Sequence, residues 1–421
     1  MKSAYLSLTV QRRATSALIF AGLAAFGVHS SVYAQTGAVQ PAYKIPDGSK
    51  DGAKDGPRGV AIAEGVALYP YFNFSLGRDS NLFLSNTNRR SSTIAVYNPG
   101  LKLQVESQST KFGFLFDSKV GRYAQSSADN YADYQLLGTG EFVFSSSIGL
   151  KLAIDYTKGH DPRGSNDRGI SVEPDEYRTT GPSALFAYGA NDAIGRVEVE
   201  VGSVDKRYQN NRANTIGSDR NTDNFAGRFF MRVAPKTSFL VEAREDRLDY
   251  KLASSRLDSK ERRYLVGVTW DATAATSGTV KVGQIRKDFS VSTRKDFSST
   301  GWEANIAWKP LSYSKVDFFT NKSFSESTGL GDFTLVKKFG FAWQHGWSSR
   351  LTSVASFTRS NDEYINNVRA DRTNSLGLKV NYKLMRWLDV GGEVTNTSRD
   401  SNVNGLDYKK NLYMLTFGAT L

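Results

Sequence analysis

Three histidines and no cysteine limit the chemistry open to this 421-residue chain. His29 lies in an N-terminal apolar stretch, which leaves His160 and His345 as the histidines a folded site could use. His160 precedes Asp161, but adjacency does not make a dyad, because proton transfer needs a fixed geometry toward a reacting group. His345 stands between Trp343 and Trp347, a setting that suits a membrane interface better than acid–base work. No segment shows the spacing of a metal-ligand set, and no glycine loop of the phosphate-binding kind occurs. The residues therefore predict no catalytic group, no metal and no cofactor, and the chain does not read as an enzyme.

The carboxylates and cations are more orderly. Lys102, Glu106, Lys151, Asp155, Arg196, Glu198, Glu200, Arg228 and Arg232 each fall opposite an apolar face in a short alternating run. Glu242, Arg244, Glu303, Lys379, Asp389 and Glu393 do the same. A dry core would reject such a set, whereas a water-filled lumen accepts charges of both signs. They are the candidate pore-lining residues. Mixed signs suit passage of a large hydrophilic molecule, and they equally suit a self-complementary network of ion pairs that fills a narrow barrel.

Those charges need elements that hold them on one face. In Leu101-Lys-Leu-Gln-Val-Glu106 the apolar residues point one way and the polar ones the other. The same period of two runs through Arg196–Val201, Trp302–Trp308, Leu376–Tyr382 and Leu388–Val394. Period two is the signature of a half-buried strand, and no helical spacing appears in these windows.

Short connections are expected at Ser107–Thr110, Ser145–Ser147, Gly189–Ala193, Ala234–Thr237, Ala272–Ser277, Pro310–Ser314, Gly346–Ser349 and Leu384–Trp387. Between them lie longer polar stretches such as Arg78–Ser92, His160–Arg178, Gln209–Asn221 and Asp362–Asp371. Strict alternation of short and long connections predicts an all-β fold: a transmembrane, antiparallel, up-and-down β-barrel of about 18 strands with both termini periplasmic. The third long loop, His160–Arg178, is expected to stand out in lipopolysaccharide; an inward constriction is the alternative. Trp270, Trp308, Trp343, Trp347 and Trp387 sit at or beside short connections and mark a membrane-interface belt there. Tyr413, Leu415, Phe417, Ala419 and Leu421 share the lipid face of a closing strand, resembling the terminal signal read by the barrel-assembly machinery.

Residues 1–34 read as a secretory signal peptide, with Lys2, Arg12 and Arg13 ahead of the apolar run Ala17–Val28 and cleavage before Gln35. Residues 35–66 carry a four-residue repeat, Asp47–Lys50, Asp51–Lys54 and Asp55–Arg58, with almost no large apolar side chain. Such a segment cannot bury enough surface to offset its ordering entropy, so a flexible periplasmic tether or docking tail is expected there, with the barrel filling 67–421. No long apolar segment follows, and a mean hydropathy of −0.42 excludes a helical membrane protein. The formal charge of +12 suits outer-membrane lipid and lipopolysaccharide, and nucleic acid is not an expected partner of an exported chain.

One segment carries a family resemblance. Tyr71–Ser85, with Gly77, Asp79, Asn81, Leu82 and Phe83 at its turn, resembles the first hairpin of the putative beta-barrel porin 2 family. Tyr123–Tyr134 is similar to that family's second hairpin. The group includes EpsL-type outer-membrane proteins encoded with exopolysaccharide biosynthesis genes. The resemblance implies a wet conduit for polysaccharide export, working with periplasmic export proteins. A general diffusion porin for small hydrophilic solutes, or a plugged structural or adhesive barrel, are the alternatives. In each case the destination is the bacterial outer membrane.

Overall fold

The computed structural model describes residues 59–168, 171–190, 192–271 and 275–421. The signal-peptide reading and nearly all of the 35–66 segment lie outside these residues. The strands are β1 (Val60–Ala63), β2 (Val66–Asp79), β3 (Ser92–Glu106), β4 (Thr110–Tyr123), β5 (Tyr131–Val143) and β6 (Ile148–Asp161). They continue as β7 (Asp175–Tyr188), β8 (Gly195–Tyr208), β9 (Arg220–Ala234), β10 (Thr237–Tyr250), β11 (Ser259–Trp270) and β12 (Thr276–Phe289). The rest are β13 (Phe297–Leu311), β14 (Ser314–Glu326), β15 (Phe333–Gly346), β16 (Leu351–Ile365), β17 (Ala370–Met385), β18 (Leu388–Ser401) and β19 (Tyr408–Thr420).

Strands β2 to β19 each pair antiparallel with the next, and β19 pairs back onto β2 from Leu412↔Asp79 to Thr420↔Tyr71. The sheet is thus a closed barrel of 18 strands, which leaves no free edge. The start of β2, the end of β19 and the tight turns share one end, and the connections β2–β3, β6–β7 and β8–β9 share the other. The flanking strands place the described short connections where the punctuation of the sequence puts them, while residues 191 and 272–274 of two of these connections lie outside the described residues. Strands of 12 to 16 residues exceed the roughly 9–11 needed to cross a bilayer, so their ends project past it.

The period of two sorts the side chains. Phe72 and Leu76, Phe112 and Phe114, Val280 and Val282, Leu376 and Leu378, and Leu415 and Phe417 are exposed on the outside. A continuous apolar exterior of this kind is stable only in lipid. Leu378→Arg should therefore cost about 2–4 kcal/mol near mid-membrane, while Lys379→Glu beside it folds normally. Urea titration of the refolded barrel, read as the heat-modifiable band on gels, measures both; equal sensitivity would mean the facing is reversed.

Two departures from simple alternation shape the interior. The β13–β14 ladder stops at Glu303↔Asn321, whereas β14–β15 and β15–β16 pair on to Glu326↔Phe333 and Phe333↔Ile365. Phe324 and Leu335 have the parity of the lipid-facing Phe318 and Phe341, yet they are buried with Phe333 against Ile285 of β12. The tips of β14 to β16 therefore roll inside the wall made by β10 to β13. Lys322 records the overlap: it has outward parity on β14, and its Nζ donates to the inward Ser299 Oγ at 2.6 Å. The second departure is at β5–β6, whose ladder ends at Tyr134↔Lys158 while β6–β7 continues to Asp161↔Asp175.

At the turn end, Val60–Ala63 forms a short hairpin with Val66–Leu68 of β2. The boundary expected at residue 66 falls inside this hairpin, because β2 extends past Tyr71, the last residue it pairs with β19, and β1 pairs with that extension.

Candidate functional site: the lumen and its mouth

The inner face has two unlike sectors. From β8 to β14 it carries a continuous chain of ion pairs. Arg196 meets Glu198 at 2.6 Å, and Arg228 holds Glu200 at 2.8 Å and Glu242 at 2.7 Å. Lys281 joins Glu242 at 3.2 Å to Glu303 at 2.6 Å, and Arg263 reaches Glu303 at 3.5 Å and Glu261 at 3.7 Å. Lys287 then links Glu261 at 2.9 Å to Glu326 at 2.6 Å, on the rolled-in tip of β14. Arg244 pairs with Asp246 at 3.0 Å alongside. Taking such charges out of water is tolerable when each is matched by an opposite charge, as here, although Arg263 Nε is buried without a hydrogen-bond partner among the described residues.

From β16 through β19 to β3 the inner face is mostly neutral. Thr352, Ser356, Ser375, Asn381, Thr395, Thr416, Asn73, Ser75 and Asn98 occupy the inward positions of the paired strands. Ser75 and Thr416 share a hydrogen bond of 2.9 Å, Asn73 donates to Asn98 at 3.0 Å, and Asn98 donates to Asp117 at 2.9 Å. Lys379, Asp389 and Glu393 stand in this sector without an ion pair among the described residues.

The remaining candidates lie at the margins. Glu106 pairs with Lys111 at 3.4 Å and Lys151 with Glu141 at 3.1 Å, both half exposed. Lys102 lies over the Tyr69 ring at 5.5 Å, and Asp155 accepts from Gln135 and Thr157. The alternation drew attention to half of the ion-pair chain but missed Lys281, Arg263, Glu261, Lys287 and Glu326. Lys281 and Arg263 lie on strands that alternate just as plainly, so the same signal could have found them.

The third long loop is the main correction. It does not stand outward: its described residues 162–168 reach across the mouth. Arg163 pairs with Asp129 and covers the Phe83 ring at 4.3 Å, which ties the loop to two neighbouring connections. Arg168 is held by Asp161 at 2.9 Å and Asp175 at 3.1 Å, donates to Ser218 at 3.1 Å, and lies over the Tyr208 ring at 4.4 Å. Asp167 accepts from Thr328 Oγ1 at 3.0 Å on the β14–β15 loop and pairs with Arg369 on the β16–β17 loop, nearly opposite in the barrel. Arg369 is also clamped by Asp371 at 2.5 Å and stacks over Tyr364 at 4.5 Å. Two inward-leaning hairpins thus meet over the lumen, joined by buried ion pairs.

His160 Nδ1 lies 2.9 Å from Asp133 Oδ2 and its ring stacks on Tyr131 at 4.3 Å, so it fastens β6 inside β5. His345 sits among Trp343, Trp347 and Tyr313 at 4.4–5.4 Å between ring centres, near the turn end. Trp308, Trp343, Trp347 and Trp387 are exposed at that end, and Trp270 is half buried against Gly278. Among the described residues no three potential ligands gather as a metal site.

A sequence model of the putative beta-barrel porin 2 family matches residues 65–420, which is the whole barrel. The chain belongs to that family. It is an outer-membrane β-barrel of the porin type. Among solved structures it is similar to OpdO of Pseudomonas aeruginosa, at 12% identity and a TM-score of 0.48, over 85% of this chain and 98% of that one. OccAB2 of Acinetobacter baumannii is similar at 10% identity and 0.47, over 86% and 99%. OccAB3 of the same organism gives 10% and 0.48, over 85% and 100%. No curated protein matches the sequence.

Proposed function

We infer that this family member is a channel for small hydrophilic solutes, a diffusion porin rather than a catalyst. The observation that carries this reading is the junction of a hydroxyl- and amide-lined inner wall with a mouth crossed by residues 162–168. The wall offers weak, exchangeable hydrogen bonds to a hydrated solute, and the crossing loop restricts its size. A polymer would need a wide path through that end, and the bridge between Asp167, Thr328 and Arg369 occupies it.

Export of an exopolysaccharide is the second reading, favoured by the same neutral wall, along which a sugar chain could slide without strong binding. It requires the two hairpins to part. Planar-bilayer recording separates the two. A porin gives steady ion conductance that small sugars reduce only transiently. An export conduit stays silent until polymer or a periplasmic partner is supplied. A barrel that never conducts, with or without those additions, would defeat both and leave a structural role.

A further inference from the structure

The alternation that turns charges into the lumen on β8 to β14 turns cations outward at the loop end of β16 to β19. Phe357, Leu376, Leu378 and Tyr413 belong to the apolar outer face there. The next outward rung carries Arg359, Asn374, Ser398 and Lys409, and the one after it Asn361, Arg372 and Asp400. Both rungs share the parity of Leu376 and Tyr413, which are 59% and 49% exposed on the lipid side. They stand where the wall passes from hydrocarbon to headgroups, so what meets them is a component of the leaflet and not a solute of the lumen.

These cations are not matched by carboxylates. Arg359 donates through Nε to Asn374 Oδ1 at 2.7 Å, and its guanidinium lies 5.9 Å from the centres of the Phe339 and Phe357 rings. Arg372 turns away from Asp400, which stands opposite it on β18, and donates through Nε to Asn361 Oδ1 on β16 at 3.3 Å. The terminal nitrogens of both arginines have no partner among the described residues, and neither has the exposed ammonium of Lys409. The same outer face on β10 to β12 is closed. Arg247 and Arg262 share Glu245 at 2.8 and 2.9 Å, Arg262 also holds Asp288 at 2.8 Å, and Arg286 pairs with Asp288 and Asp296. On β15, Lys337 is taken by Glu363 at 2.6 Å, which bounds the open patch on that side.

We propose that this patch docks the phosphorylated glycolipid of the outer leaflet, lipopolysaccharide. Arg359 and Arg372 are diagonal neighbours on adjacent strands, close enough for their terminal N–H groups to grip one phosphate together. Lys409 adds a third positive charge for a further anionic group. The acyl chains lie below, along Phe357, Leu376 and Leu378. Beside the cations, Asn396, Asn411 and Ser398 offer amides and a hydroxyl that suit a sugar headgroup, whereas a glycerophospholipid presents no sugar ring to them. The site is on the outer wall, so it stands apart from whether the lumen conducts.

The test is native mass spectrometry of the full protein, refolded free of lipid into detergent and titrated with three probes. These are deep-rough lipopolysaccharide, the same glycolipid after enzymatic dephosphorylation, and phosphatidylglycerol. Intact lipopolysaccharide should bind at least about tenfold more tightly than either of the others, as loss of one charge-assisted contact implies. Arg359→Gln with Arg372→Gln should abolish that preference, and Arg247→Gln on the closed sector should leave it unchanged. Heat-modifiability confirms that each variant is folded. Should the double variant fail to fold, Arg372→Gln alone carries the test, since this exposed side chain holds only Asn361, and it should weaken lipopolysaccharide measurably. Equal binding of the intact and dephosphorylated glycolipid overturns the proposal. So does phosphatidylglycerol that binds as tightly, or a preference that survives loss of the arginines.

Discussion

Releasing the bridge over the loop-side mouth should raise single-channel conductance. Asp167 is the keystone, because it meets Thr328 from one hairpin and Arg369 from another while its own loop is anchored through Arg163 and Arg168. Asp167→Ala with Thr328→Ala removes both contacts and leaves Arg369 paired with Asp371, so no buried cation is stranded. The narrowest cross-section then widens, and conductance should rise at least about twofold. A cysteine pair at the same two positions gives the reciprocal test, since the natural chain has no cysteine to interfere. Oxidation should hold the mouth shut, and reduction should restore or exceed the starting conductance. Indistinguishable currents in the two redox states would mean that ions do not pass beneath this bridge.

That bridge was not legible in the sequence, for a physical reason. Asp167 and Arg369 are 202 residues apart, and charges in a loop look the same whether they face water or a distant partner. Strand alternation has a related blind spot. It fixes the relative facing of Phe318 and Phe324 but says nothing of where the ladder to β13 will end. Once pairing stops at Glu303↔Asn321, the same parity that meets lipid below meets Ile285 above. What alternation did convey was robust, because a one-residue slip in any strand would expose its charges to lipid. The turns, the lipid face around Leu376–Tyr382 and the closing strand around Tyr413–Leu421 all follow from that constraint. The lumen charges fell between the two: their facing could be read, but whether each was wet or paired depended on register across strands.

Arg228→Ala should be among the most destabilising single changes in the lumen, and Lys151→Ala among the mildest. Arg228 is 12% exposed and holds Glu200 and Glu242, whose side chains are 3% and 5% exposed. Removing it leaves two nearby buried carboxylates with one cation, Lys281, on Glu242 alone. Breaking a buried pair by deleting one partner costs about 3–5 kcal/mol, because the stranded charge keeps its desolvation penalty. Lys151 and Glu141 are 45% and 43% exposed, so water replaces the lost partner, and the expected cost is about 0–1 kcal/mol. Urea unfolding of the refolded barrels, in low and high salt, reads both. The Arg228 effect should persist in high salt, since the pairs are screened little, whereas any Lys151 effect should vanish. Arg228→Ala with Glu242→Ala and Glu200→Ala should recover much of the loss, because the stranded charges go with the cation. If Arg228→Ala instead behaves like Lys151→Ala, the β8–β14 sector is as wet as the opposite wall. The ion-pair chain would then line the solute path rather than brace the barrel beside it.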